Sequence, residues 1–222
     1  SFFQRSYDQF VHDVCLPNLP VVCALDRAGL VGEDAPTHSG IFDLSFLWPI
    51  PNATIAVPRD GEDLGAMVHW ALTQNGPVVL RYPRGSYTTL GNPEDRDVTR
   101  GEVLREGADA TFVAVGPCVG ACLEAAQNLA NQGLSVAVAD ARFVKPLDTG
   151  LLDRLSDRPI ITVEENVLAG GFGAAVMEYF EQQGRLHEVR IHRVGLPDAF
   201  DHHATRTEQL AEFALDGPGL TR

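Results

Sequence analysis

Short apolar runs closed by turn residues alternate with amphipathic stretches along this sequence, and that alternation restricts the fold more than any other feature. PVVCALD (20–26), TIAVP (54–58) and PVVLRYPRG (77–85) read as strands in the first part. ATFVAVG (110–116), LSVAVADAR (134–142), PIITVEEN (159–166) and EVRIHRVG (188–195) do so in the second. Helical patterns fall between them. QRSYDQFVHDVC places Tyr7, Phe10, Val11 and Val14 at helical spacing. DGEDLGAMVHWALTQNG has Asp60 as N-cap, acids in its first turn and Gly76 as its stop. PCVGACLEAAQNLANQG has Pro117 in its first turn and Gly133 past its end. TGLLDRLS is a shorter helix, and LAGGFGAAVMEYFEQQG opens another on a glycine-rich turn.

Strands apolar on both faces, each followed by a helix, belong in parallel sheets covered on both sides. The expected class is therefore α/β, with two three-layer α/β/α domains and mainly parallel sheets. Composition turns polar and turn-rich in SYTTLGNPEDRDVTRG, so the expected division is residues 1–86, a linker over 87–100, and 101–222.

Composition excludes some functions. The formal net charge of −13 opposes a nucleic-acid partner, which wants clustered Lys and Arg. No run reaches the roughly 18 apolar residues of a membrane span, and no leader pattern is visible, so the expectation is a cytoplasmic protein without membrane contact. The opening SFFQRSYDQF has no initiator Met and begins mid-pattern, which suggests part of a longer polypeptide. The four cysteines (15, 23, 118, 122) sit among apolar neighbours and read as reduced core thiols.

Ligands of open parallel sheets bind at the carboxyl ends of strands, and two polar clusters occupy such ends. One is Asp26-Arg27 and the loop through Glu33, Asp34, Thr37 and His38; the other spans Arg81 to Arg84. The planar guanidinium fork suits phosphate or carboxylate. Equally open is that Arg27 pairs with Asp26 or Asp34 and that Arg84 caps a loop. His38 stands on this loop among acids, where a histidine suits acid/base work, or it simply bonds a backbone carbonyl. His202-His203 lacks further ligands at metal spacing, so no metal site is expected. Glu164, Glu165 and Asn166 precede Gly170, Gly171 and Gly173, but the spacing is not that of a dinucleotide fingerprint and two carboxylates would repel a pyrophosphate. Packing or an interface is the better reading.

SFFQRSYDQFVHDV, ALDRAGLVGEDAPTHSGIFDLSFLWPIPN, GPVVLRYPRG, DARFVKPLD and VEENVLAGGFG together resemble the C-terminal half of the 1-deoxy-D-xylulose-5-phosphate synthase family, thiamine diphosphate-dependent relatives of transketolase. The resemblance implies a transketolase-like fold: a pyrimidine-binding domain, N-terminally incomplete, followed by a transketolase C-terminal domain. It implies condensation of pyruvate, with decarboxylation, and D-glyceraldehyde 3-phosphate to 1-deoxy-D-xylulose 5-phosphate and CO2, feeding isoprenoid, thiamine and pyridoxal precursors. Phe2 resembles the aromatic residue that stacks on the aminopyrimidine, and Arg5 an arginine close to that ring. His38 and Asp34 resemble catalytic residues of the loop above the thiazolium. Arg27 and Arg84 resemble the pair that grips the acceptor phosphate. The diphosphate and Mg2+ ligands, and the activating glutamate, are implied to lie in an N-terminal portion of the same polypeptide, and the whole to form a homodimer. The fragment alone is then expected to be inactive. Two rival readings are the β subunit of a 2-oxoacid dehydrogenase and a non-catalytic dimerising or anion-binding module of the same fold.

Overall fold

The computed structural model describes residues 2–222. The N-terminal segment winds through a 3-10 turn (Phe2–Ser6), α1 (Tyr7–Gln9) and a π-helical turn (Phe10–Cys15), burying Phe10 and Cys15. Then follow β1 (Val22–Leu25), α2 (Asp43–Leu47), β2 (Thr54–Ala56), α3 (Gly61–Ala71) and β3 (Val78–Arg81). The second part contains β4 (Glu102–Arg105), β5 (Ala110–Ala114), α4 (Cys118–Ala130), β6 (Val136–Asp140), β7 (Phe143–Lys145) and α5 (Thr149–Leu155). It ends with β8 (Ile160–Val167), α6 (Phe172–Gln182), β9 (Ile191–Leu196), α7 (Arg206–Glu212) and α8 (Gly217–Leu220).

Two sheets result, with strand orders β1-β3-β2-β7 and β4-β6-β5-β8-β9. All pairings are parallel except the edge pairs β2–β7 and β4–β6. The class is α/β with mainly parallel sheets, as the alternation requires. The helices α2, α7 and α8 were not expected from the sequence, and neither were two strands. Phe143 to Lys145, within the second stretch of the chain, add an antiparallel edge to the first sheet. Glu102 to Arg105, next to the polar segment, form an antiparallel edge of the second. Both are short, and all four residues of β4 are only partly covered.

Strand geometry sends successive side chains to opposite faces. Val78, Leu80 and Ala56 pack on Met67 and Ala71 of α3, where the Trp70 and Phe143 rings meet edge-on at 5.3 Å. Leu25, Ile55 and Val79, on the other face, join a core that continues through Val113, Ala139 and Val144 to Phe172, Val176 and Phe180. The two sheets thus share apolar contacts. Buried charge joins them as well. Arg142, fully buried, lies 3.2 Å from Asp63 and from Glu102, and Arg59 donates to Glu102 at 2.7 Å and Asp140 at 3.1 Å. Asp60, the N-cap of α3, takes the Arg96 guanidinium from the 87–100 stretch through both carboxylate oxygens.

Candidate active site

Strands β1 and β3 are parallel neighbours with Leu25 opposite Arg81, so the segments leaving them emerge side by side. Their pairing continues past the strands, with Tyr82 N–H donating to Leu25 O and Ala28 N–H to Tyr82 O, each at 3.0 Å. Arg27 turns the chain with a left-handed φ of 57°. Gly29 and Gly40 exchange two backbone bonds of 2.9 Å and close the ends of the loop that carries Asp34 and His38.

Six residues expected from the sequence lie at this end of the sheet. Arg27 Nη1 donates to Asp34 Oδ2 at 3.1 Å, and Arg84 Nη1 stands 3.6 Å from the same oxygen. The Arg27–Asp34 pairing left open by the sequence is therefore present, and Asp34 draws both arginines together. All three remain partly exposed, with the Arg84 side chain 69% accessible. Two guanidiniums on one carboxylate leave a net positive charge and unused N–H donors. His38 N–H donates to Asp34 O at 3.3 Å, and the Thr37 hydroxyl lies 2.8 Å from His38 Nδ1. With Nδ1 engaged, Nε2 is the nitrogen left to meet a ligand; it has no hydrogen-bond partner among the described residues. The Phe2 ring is 53% exposed and meets the His38 ring edge-on at 5.0 Å. Arg5 stands 6.0 Å from the Phe2 centroid. A cavity of about 430 Å³ is lined by Phe2, Phe3, Ser6, Leu25, Asp26 and Arg27. Arg84 also lines a larger cavity, about 670 Å³, bordered by Gly61, Tyr87 and Pro117.

Arg81 is a supporting residue that sequence reasoning grouped with Arg84. It is buried, donates from Nη2 to Gly40 O at 2.7 Å and Glu165 O at 2.9 Å, and lies 3.5 Å from Asp43. Burial nonetheless pushes the Asp43 carboxyl above its ordinary value, against the pull of Arg81. The apolar run Val78–Leu80 was the available signal that Arg81 still belongs to the buried strand. Glu164, Glu165 and Asn166, read from the sequence as packing or interface residues, make internal hydrogen bonds. Glu164 accepts from Phe172 N–H at 2.6 Å and Gly173 N–H at 2.8 Å, and so satisfies the free N–H groups at the N-terminus of α6. Glu165 takes Leu30 N–H at 2.6 Å and the Arg206 guanidinium. Asn166 Oδ1 accepts from Leu44 N–H at 3.1 Å. Among the described residues no group of three or more His, Cys, Asp and Glu could hold a metal ion. No helix there is long and apolar enough to cross a membrane.

The two mainly parallel sheets adjoin, and the cluster of Arg27, Arg84, Asp34 and His38 lies at the strand ends of the first. The family model described as transketolase, pyrimidine binding domain, matches residues 1–89, and that described as transketolase, C-terminal domain, matches residues 99–220. The chain belongs to the transketolase family. Curated relatives include the 1-deoxy-D-xylulose-5-phosphate synthases of Carboxydothermus hydrogenoformans (51% identical, 97% of this chain and 35% of the relative) and Syntrophus aciditrophicus (48%, with 99% and 34%). That of Chlorobium phaeovibrioides is 47% identical, with 99% and 35% covered. The chain spans about a third of the length of these relatives. Among solved structures, a split-gene transketolase described as an inactive β4 tetramer superposes with a TM-score of 0.89 at 31% identity, over 99% of this chain and 71% of that one. The transketolase of Campylobacter jejuni shares the fold, with a TM-score of 0.80 at 23% identity, over 99% and 33%.

Proposed function

We propose that this chain supplies the pyrimidine and acceptor side of a thiamine diphosphate-dependent synthase. That enzyme condenses pyruvate, with loss of CO2, and D-glyceraldehyde 3-phosphate to 1-deoxy-D-xylulose 5-phosphate, a precursor for isoprenoids, thiamine and pyridoxal. The observation that carries the reading is the meeting of Arg27 and Arg84 on Asp34, beside His38 and Phe2. When bound, the cofactor supplies the carbon nucleophile and the electron sink for decarboxylation. The exposed Phe2 ring and the apolar wall of the 430 Å³ cavity suit a flat aminopyrimidine, with Arg5 at its edge. Arg27 and Arg84 turn their forks from Asp34 to the acceptor phosphate. His38 Nε2 then hydrogen-bonds the acceptor carbonyl oxygen and passes it a proton as the new bond forms. Asp34, freed from part of its pairing, orients the arginines and the acceptor hydroxyls.

The described residues fit the pyrimidine end of the cofactor and contain no acid cluster for Mg2+. The diphosphate and Mg2+ are therefore assigned to a further portion of the same polypeptide, matching the remaining two thirds of the relatives, within a homodimer. The split-gene transketolase, inactive as a β4 tetramer, supports the view that this part alone does not turn over. It equally favours a second reading, a non-catalytic, self-associating module with an anion site.

Steady-state kinetics of the complete protein, this chain together with that further portion, separate the two readings. Arg84→Ala should raise the acceptor KM about 10- to 100-fold, the equivalent of a charge-assisted contact of about 1.5–3 kcal/mol, with kcat changed far less. An unchanged KM would overturn the phosphate assignment.

A further inference from the structure

The segment bearing Asp34 and His38 is fastened at both ends to one buried pair of side chains from the far end of the chain. Gly32 N–H donates to Gln209 Oε1 at 2.8 Å. Gln209, fully buried on α7, donates from Nε2 to His202 O at 2.7 Å and to Asp201 Oδ2 at 3.3 Å. That oxygen also accepts the Ser39 hydroxyl at 2.5 Å, and Ser39 directly follows His38. The path Gly32, Gln209, Asp201, Ser39 thus closes residues 32–39 into a loop with both feet on α7 and the turn before it. The approach is close: Gly32 has φ 69°, and a Cβ there would lie 2.9 Å from Arg206 N.

Asp201 is costly in this place. It is 2% exposed, and its Oδ1 has no hydrogen-bond partner among the described residues. A buried carboxylate with an unpaired oxygen is unfavourable for folding. Its second oxygen is where the loop is held.

Resting on the reading of His38 and Asp34 as site residues, we infer that Asp201 and Gln209 are positioning residues. They fix the backbone on either side of those two groups and hold the His38 ring in register with Phe2 and the two arginines. Neither touches the acceptor. The second sheet's unit, which holds none of the six site residues, would in this way set the precision of the acid/base group. A misplacement of about 1 Å in such a group costs on the order of 10²-fold in rate.

Two measurements test this. Amide hydrogen exchange on the chain itself reads the loop, and kinetics on the complete protein read the consequence. Asp201→Ala and Ser39→Ala should speed exchange at Gly32 and His38 at least about tenfold while β5 and β6 amides keep their protection. In the complete protein, kcat should fall about 10- to 100-fold with the acceptor KM moved less than about threefold. Asp201→Asn, whose Oδ1 can accept both bonds, should restore both readouts. Ser39→Ala removes one hydroxyl and carries the test should Asp201→Ala fail to fold. Unchanged loop exchange, protection lost equally in β5 and β6, or a loosened loop with normal kcat would each overturn the inference. A loosened loop in a complete protein without synthase turnover would support the clamp and overturn the function reading instead.

Discussion

His38 and Asp34 do different work although one backbone hydrogen bond joins them. His38 has Nδ1 held by Thr37, which leaves Nε2 as the ring nitrogen free to meet a ligand. Replacing it with Ala should lower turnover of the complete protein by about 10²-fold or more, the scale of a placed acid/base group, and near-normal turnover would remove it from the mechanism. Asp34 competes with any anion for Arg27 and Arg84. Asp34→Asn removes that competing charge, so inorganic phosphate should bind the isolated chain several-fold more tightly by calorimetry. Weaker binding would mean that Asp34 arranges the arginines more than it opposes the anion. The two polar clusters were legible in the sequence as charged loops after apolar strands. Phe2, Arg5 and every role came only from the family resemblance, since Arg81, Glu164 and Glu165 in like places hold the structure together. The Ser39–Asp201–Gln209 path was not legible, since Asp201 lies 162 positions from Ser39 and no local pattern joins them.

At the scale of elements, local chemistry foretold what local chemistry controls. Asp60 caps α3 by accepting from Asp63 N–H at 2.8 Å, and Gly133 ends α4 with a left-handed φ of 88°. The edge strands β4 and β7 escaped because their pairing depends on a partner far along the chain, not on their own composition. The glycine-rich start of α6 reads, from its spacing and its two carboxylates, as packing or an interface. It resembles a phosphate cradle, yet the Glu164 carboxylate fills it, and a Cβ on Gly171 would lie 2.2 Å from Glu164 Oε2. Burial pushes Glu164 up to about 7, against the pull of the two N–H groups it accepts from. A carboxyl raised in the folded state keeps its proton where the unfolded chain has lost it, so its contribution to stability falls as pH rises from the ordinary Glu range towards 7. Asp140, pushed up to about 6 by burial, acts in the same direction. Glu164→Gln removes the titration. Whatever its baseline, its Tm should decline less than that of the wild type between about pH 5 and 7.5, by a few degrees. Parallel Tm–pH curves for the two proteins would contradict the assignment.

Across the whole molecule, the two sheets share one apolar core and a buried charge cluster, and Leu30 and Ile41 of the site loop pack into the core of the second sheet. The α/β class followed from alternation alone, since strands apolar on both faces need helices on both sides. How the sheets join did not, because β7 reaches back across the division that composition suggests. The chain matches about a third of the length of its synthase relatives, and it covers 71% of one structural neighbour, a split-gene transketolase described as an inactive β4 tetramer. The central claim is that these residues form one side of a shared site. The most direct measurement titrates the folded chain into the polypeptide portion matching the remaining length of those relatives. Thiamine diphosphate, Mg2+, pyruvate and D-glyceraldehyde 3-phosphate are present, and formation of 1-deoxy-D-xylulose 5-phosphate is followed. The account predicts no product from either part alone and product that saturates at one chain per portion. No product from the folded, associated pair would contradict it.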